Sequence, residues 1–150
     1  MPNTIIYNSL YINKKNSNLD IKNSNKLIKL GYCNGSLRAK GIIDIIKSCH
    51  LLNIRKVPFQ LIIAGDFSYE NTIIYKIKKL FLTKIFKVDQ NVSEEVVFLI
   101  KKYNLQSKVI FLGHLQNLEE FYKQINLYLS TCYSDAPGRP IFEAAFFKIP

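Results

Sequence analysis

The sequence has 150 residues, of which 48% are hydrophobic, so it can bury the core of one domain and is too apolar to be disordered throughout. Lysine and arginine number 21 against 11 acidic residues, and the formal charge of +10 favours an anionic partner: a nucleotide, a nucleic acid or an acidic lipid surface. The three widely spaced cysteines, Cys33, Cys49 and Cys132, predict neither a disulfide framework nor a zinc site. Without a visible signal peptide or an apolar run of about 18 residues, we expect a cytoplasmic protein that contacts a membrane at most peripherally.

The first half of the chain divides into a lead-in and the start of a domain. Residues 1–25 are a lead-in segment that ends in a loop rich in Asn, Lys and Ser. The domain, 26–150, opens with a buried strand, and a second strand comes after Pro58. Residues 68–92 mix lysines with apolar residues and are predicted to be a largely helical insertion. The elements before the insertion are strand 27–33, helix 41–52 and strand 59–65.

The second half continues the alternation of helices and strands. Ser93 is predicted to cap the next helix, where Glu94 and Glu95 suit the positive end of the helix dipole. Asn117 is predicted to cap a later, shorter helix. The elements after the insertion are helix 93–105, strand 108–113, helix 117–125, strand 127–133, a loop at 134–140 and helix 141–149.

Short, solidly apolar strands that alternate with helices predict an α/β fold, a Rossmann-like parallel sheet with helices on both faces. Ligands of such sheets bind where strands end and loops lead into helices. Three loops therefore become candidate sites: those after Leu30, Leu112 and Leu129.

The third loop carries the most chemistry. Gly138 allows backbone N–H groups to approach an anion at a helix start, and Arg139 can add a charge-assisted contact. Glu143, inside the helix, can accept hydrogen bonds from vicinal hydroxyls such as those of ribose. On spacing alone, a plain turn at Asp135 followed by a solvated helix explains the segment at least as well.

The first and second loops give weaker signals. Arg38 and Lys40 precede a helix, a position that suits a bound anion, but the glycine spacing matches no nucleotide-binding fingerprint. His114 follows Gly113 at a strand end, where a hydrogen-bonded loop residue is the commoner role. His50 is predicted to lie at a helix end and to be structural.

In this order the three loops resemble the C-terminal, nucleotide-sugar-binding domain of retaining glycosyltransferases of family 4, which have the GT-B fold. The resemblance lies in three segments: LIKLGYCNGSLRAKGIIDIIKSC with its Lys-Gly pair, FQLIIAGDF, and KVIFLGHLQNLEEFYKQINLYLSTCYSDAPGRPIFEAAFFKIP. Two acids separated by seven residues are typical of the last segment, and Asp135 and Glu143 match them.

The resemblance implies roles for these residues. Glu143 would bind the ribose, Asp135 would contact the donor sugar, and Lys40 would neutralise the departing diphosphate. No metal and no cofactor would then be needed, with Lys40 and Asp135 as the catalytic pair. The implied donor-binding set is Arg38, Gly113, His114, Ala136, Pro137, Gly138, Arg139, Pro140, Ile141 and Glu143.

The sequence departs from the family in two residues and in length. Asp135 replaces a glutamate, and Tyr32 stands where the family often has an arginine, for which Arg38 is a candidate substitute. The domain is expected to be truncated at its C-terminal end and to lack the N-terminal acceptor domain, which a partner chain would supply.

Three hypotheses about function follow. The first is a glycosyltransferase part that binds a nucleotide sugar for transfer to a glycan or lipid acceptor, inactive by itself. The second is a non-catalytic remnant or nucleotide-binding module. A nucleic-acid-binding role, suggested by charge alone, is not expected because the aromatic and basic clusters of known modules are missing.

Overall fold

A computed structural model of the chain describes residues 27–67, 92–133 and 138–150. The lead-in 1–25 and nearly all of the predicted insertion 68–92 lie outside these ranges. The strands are β1 (Ile28–Cys33), β2 (Phe59–Ala64), β3 (Val109–Gly113) and β4 (Leu127–Tyr128). The α-helices are α1 (Ile42–Ile54), α2 (Ser93–Lys102), α3 (Glu119–Gln124) and α4 (Arg139–Phe146), and a 3-10 turn (Arg38–Lys40) precedes α1.

The four strands form one parallel sheet in the order β3-β2-β1-β4. The chain builds outward from β1 to β2 and β3, and then returns across the sheet to place β4 on the other side of β1. The strand order thus reverses between β1 and β4. A crevice at such a reversal is where open α/β sheets bind ligands.

The helices cover both faces of the sheet, as predicted. Leu30 and Tyr32 of β1 pack with α1 and α2 in one core cluster. Ile62 and Ala64 of β2 pack with α3 and α4 in a second cluster. Because alternate strand residues point to opposite faces, a strand buried on both sides must be apolar throughout, and β2 is apolar except for Gln60.

Helix α3 approaches the sheet closely at Gly31. A Cβ atom on Gly31 would lie 2.4 Å from Ile125 Cδ1, so only a glycine leaves room for the end of α3 at this point of β1. The backbone then connects the two segments, since the Asn126 N–H donates to the Lys29 carbonyl oxygen over 2.7 Å.

Two predicted boundaries at the third loop are wrong. The last strand was predicted over 127–133, but β4 comprises only Leu127–Tyr128; Leu129 still donates its N–H to Gly31 of β1, and the chain then leads out of the sheet toward the start of α1. The last helix begins at Arg139 instead of 141, with a proline in its first turn. The fixed φ of proline is compatible with a helix start, so Pro140 belongs to the helix and not to the loop.

Predictions about individual helix positions are partly confirmed. Leu118 holds the cap position of α3, and Asn117, one residue earlier, accepts the Glu119 N–H at its Oδ1 atom over 2.9 Å. Ser93 does not cap α2: it is the first helical residue and is buried, and Val92 holds the cap position. His50 lies within α1, before its end at Ile54, and stacks on Tyr103 with ring centroids 4.0 Å apart. In the described ranges, no helix is long and apolar enough to cross a membrane.

Candidate functional site

The loop after β1 is shaped by a buried tyrosine. The Tyr32 hydroxyl donates to the Gly35 carbonyl oxygen over 3.0 Å and lies 3.2 Å from that of Lys40. Burial raises the pKa of Tyr32 well above its ordinary value, so the hydroxyl stays protonated and remains a donor. Tyr32 is fully buried. It therefore holds the loop from beneath and is not available to contact a ligand.

Lys40 and Gly41 lie against the chain that leaves β4. Gly41 has a φ of 74°, and a Cβ atom there would lie 2.1 Å from the Thr131 carbonyl oxygen. The Thr131 hydroxyl donates to the Gly41 carbonyl oxygen over 2.8 Å, and the Tyr133 N–H donates to that of Ala39 over 2.9 Å. The Lys40 Nζ atom lies 4.0 Å from Cys132 Sγ. The ammonium group is thus placed above the segment that leads from β4 toward α4.

Arg38 is directed away from this position. Its guanidinium forms an ion pair with Glu95 in the first turn of α2, and half of the side chain is exposed. The 3-10 turn separates the two cations, so that Arg38 contacts α2 while Lys40 contacts the exit of β4.

Glu143 is held near the start of α4 by partners on both of its carboxylate oxygens. Gly138 caps the helix in an extended conformation, and the side chain of Glu143 is only 16% exposed. The Arg139 Nε–H donates to Oε1 and the Tyr122 hydroxyl donates to Oε2, each over 2.9 Å. A carboxylate oxygen accepts more than one hydrogen bond, so the oriented group keeps capacity for a ligand hydroxyl. Pro140 and Ile141 complete the first turn.

Two predicted loops meet at this helix start. The Asn34 amide, just after β1, donates to the Tyr128 hydroxyl over 3.0 Å. A Cβ atom on Gly138 would lie 3.5 Å from Asn34 Oδ1, so the β1 loop and the cap of α4 are neighbours. Burial, with a contribution from the Glu143 carboxylate and an opposing one from Arg139, raises the pKa of the Cys33 thiol to about 11. The end of β1 and Glu143 therefore share one electrostatic environment.

The second predicted loop lies at the ends of β2 and β3. Gly113 has a φ of 70°, and its carbonyl oxygen accepts the Gly65 N–H over 2.8 Å. Next to it is a mostly apolar pocket of about 300 Å³, while His114 is exposed on the surface. The pocket is lined by Gly65, Asp66, Phe67, Val97, Phe111 and Gly113.

Three predicted site residues, Asp135, Ala136 and Pro137, lie outside the described residues. Sequence reasoning missed Tyr122 and Asn34, which contact Glu143 and the neighbourhood of Gly138 respectively. An aromatic residue on the apolar side of a short helix carries no signal that distinguishes it from an ordinary core residue. The hydrogen bond from Tyr122 spans 21 positions of the chain, so only the fold brings the pair together.

The order of the parallel strands and the helices on both faces define the class of protein as a Rossmann-like α/β domain. Residues 13–150 match the sequence profile of the family described as "Glycosyl transferases group 1", and the chain belongs to that family. A comparison with curated protein sequences gives no significant match.

Several solved structures share the fold. One is a TarM mutant from S. aureus in complex with Fondaparinux, alpha-GlcNAc-glycerol and UDP (TM-score 0.62, 18% identity, 88% of this chain and 23% of that chain). Another is HepE from Anabaena in complex with UDP (TM-score 0.61, 19% identity, covering 83% of this chain and 29% of that chain). A third is WaaG, a glycosyltransferase involved in lipopolysaccharide biosynthesis (TM-score 0.60, 18% identity, covering 87% of this chain and 28% of that chain). The chain thus spans about a quarter of the length of these proteins.

Proposed function

We propose that this chain is the donor-binding part of a retaining glycosyltransferase of family 4, which transfers a sugar from a nucleoside diphosphate sugar to a glycan or lipid acceptor. The observation that carries the proposal is the oriented, largely buried carboxylate of Glu143 at the start of α4, beside the loop that ends β1. Membership in the group 1 glycosyltransferases supports it. UDP is bound in the TarM and HepE structures that share the fold.

Each side of the crevice has a role in this proposal. Glu143 accepts hydrogen bonds from the ribose hydroxyls, because a carboxylate is the natural acceptor for a vicinal diol. The start of α4 at Gly138 receives the diphosphate, because the positive end of the helix dipole favours an anion. Lys40 neutralises the negative charge that develops as the diphosphate leaves, and Asp135 contacts the donor sugar. The mechanism is proposed to need no metal and no cofactor, because Lys40 supplies the positive charge.

The acceptor side of the reaction is proposed to come from outside these residues. An N-terminal domain or a partner chain would bring the glycan or lipid to the crevice, with contact to a membrane surface where the acceptor is a lipid. By itself the chain is expected to bind the nucleotide sugar without transferring the sugar efficiently.

The proposal is tested by the thermal stability of the chain in the presence of UDP, GDP, ADP and their sugar conjugates. A ligand at 100 times its dissociation constant stabilises the folded state by about 2.7 kcal/mol, which raises the melting temperature measurably. We expect one nucleotide to act on the wild type and to lose most of its effect on Glu143→Ala.

Glu120→Ala is the matched control, because it removes the same charge from a side chain that is 70% exposed on α3. It should respond to the nucleotide like the wild type. A cooperatively folded wild type that responds to no nucleotide would overturn the proposal and favour the non-catalytic remnant.

A further inference from the structure

We propose that Tyr122 is the positioning residue for Glu143: its hydroxyl fixes the carboxylate in the orientation that receives the ribose hydroxyls of the donor. The inference rests on the ribose contact proposed above and adds to it a residue from a different helix. Tyr122 lies on α3 and Glu143 on α4, and the Tyr122 hydroxyl oxygen is 2.9 Å from Glu143 Oε2.

The position of the hydroxyl is fixed by the packing of the ring. Tyr122 is 1% exposed, and its ring stacks on Phe147, with centroids 5.2 Å apart and an angle of 16° between the planes. The rings of Phe121 and Tyr128 lie at 5.1 and 6.3 Å. A tyrosine has two side-chain torsions, and a ring enclosed on these sides leaves its hydroxyl little freedom. The hydroxyl is therefore a donor in a fixed position, and its hydrogen bond restrains the more mobile carboxylate of Glu143.

The hydroxyl is a permanent donor to the carboxylate. Burial first, and then the hydrogen bond to Glu143, raise the pKa of Tyr122 far above its ordinary value, so the phenol does not ionise at neutral pH. Its single proton has two acceptors in reach, Glu143 Oε2 at 2.9 Å and the Pro140 carbonyl oxygen at 3.2 Å. The charged carboxylate is the nearer and the stronger acceptor, so the bond goes to Glu143.

Arg139, the other partner of Glu143, cannot replace this contact. Its side chain is 66% exposed, long and flexible, and it contacts Oε1 from the same helix. Without the Tyr122 hydroxyl, the carboxylate could rotate about its terminal torsion, which has a broad energy profile, and follow the arginine into solvent. The buried aromatic residue, and not the ion pair, is then what keeps Glu143 aimed at the crevice.

The test compares two ligands on one variant by calorimetric titration of the 150-residue chain. The ligands are UDP and 2′,3′-dideoxy-UDP, which lacks both ribose hydroxyls that Glu143 is proposed to bind. The variant is Tyr122→Phe, which keeps the ring and removes one oxygen atom. We expect roughly tenfold weaker binding of UDP by Tyr122→Phe, as for a lost hydrogen bond to a charged group, and unchanged binding of the dideoxy ligand.

Tyr128→Phe is the matched control. It removes a buried hydroxyl from the same aromatic cluster, one that accepts from Asn34 instead of donating to Glu143. This variant should keep the wild-type ratio of the two affinities. If Tyr122→Phe weakens both ligands equally, Tyr122 has only a general packing role and the inference is wrong.

The outcomes separate the inference from the proposed function. If Glu143→Ala loses the preference for UDP over the dideoxy ligand but Tyr122→Phe keeps it, Glu143 contacts the ribose and Tyr122 does not position it. If the wild type binds both ligands equally or neither of them, the ribose contact itself falls, and the inference falls with it.

A second measurement does not depend on the variant folding. The buried Tyr122 hydroxyl proton of the wild type, followed by NMR, should shift when UDP is added and should stay in place with the dideoxy ligand. A hydroxyl proton that is insensitive to both ligands, in a sample that binds UDP, also overturns the positioning role.

Discussion

The two sides of the crevice are held by different means. On the β1 side, contacts of the main chain determine the position of Lys40. Gly41 packs against the Thr131 carbonyl group, and hydrogen bonds join the 3-10 turn and Gly41 to the residues that follow β4. On the α4 side, the Glu143 carboxylate contacts only side chains in these hydrogen bonds, the Tyr122 hydroxyl and the Arg139 guanidinium.

The difference predicts how each side tolerates change. A backbone contact cannot move without moving two elements, so a single added carbon is costly there. A side chain can change its rotamer, so substitutions on the α4 side should cost less free energy of unfolding. They should instead change the orientation of the Glu143 carboxylate. The same kind of substitution, glycine to alanine, can be made where the neighbour is a backbone atom and where it is a side chain, to compare the two kinds of contact.

The largest effect is expected for Gly41→Ala. The added Cβ would lie 2.1 Å from the Thr131 carbonyl oxygen, and the backbone has a φ of 74°. The left-handed conformation costs about 1–2 kcal/mol and the overlap about 1–3 kcal/mol, so unfolding in urea should show a loss of about 2–5 kcal/mol or an unfolded chain.

Gly35→Ala is the control for that prediction. Gly35 has a similar φ of 72°, but nothing lies within 4 Å of its added Cβ. Only the conformational cost of about 1–2 kcal/mol is expected. Equal losses for the two variants would show that the contact between Gly41 and Thr131 does not constrain the loop.

An intermediate effect is expected for Gly31→Ala, on the side of α3 and Tyr122. The added Cβ would meet the side chain of Ile125 at 2.4 Å, without a positive φ. Because a side chain can yield, we expect a loss of about 1–3 kcal/mol in the free energy of unfolding. Adding Ile125→Ala should make the remaining cost of Gly31→Ala smaller, which a double-mutant cycle measures. Strict additivity would contradict the contact.

The smallest effect is expected for Arg139→Ala. Its ion pair with Glu143 joins positions i and i+4 of one helix, and the arginine side chain is 66% exposed. Such pairs contribute about 0.3–0.5 kcal/mol, and a cation in the first turn opposes the helix dipole. Urea denaturation should therefore show a change below about 0.5 kcal/mol. A loss several times larger would contradict the small contribution expected of an exposed ion pair within one helix.

The fold was predictable because its signals are local. Strands such as β2 are solid apolar runs, and a buried parallel sheet requires that composition. The boundaries near the site were less predictable. Residues 130–133 look like a strand because they follow an apolar run, but Thr131 and Tyr133 bond to Gly41 and to the 3-10 turn. The helix start at Arg139 was missed because Pro140 suggests a loop as readily as a first helical turn.

The sequence by itself determined the alternation of elements, the parallel sheet and the three loops at its carboxyl edge, because hydrophobic period and glycine position act over a few residues. It also marked Gly138 and Glu143 as candidate site residues in a strand-to-helix loop, while Lys40 was marked by the resemblance to a glycosyltransferase family. Only the tertiary structure decided which side chains hold them: Arg38 turns to Glu95, and Tyr122 binds Glu143. These partners depend on how helices from distant parts of the chain pack across the sheet, and no local pattern records that geometry.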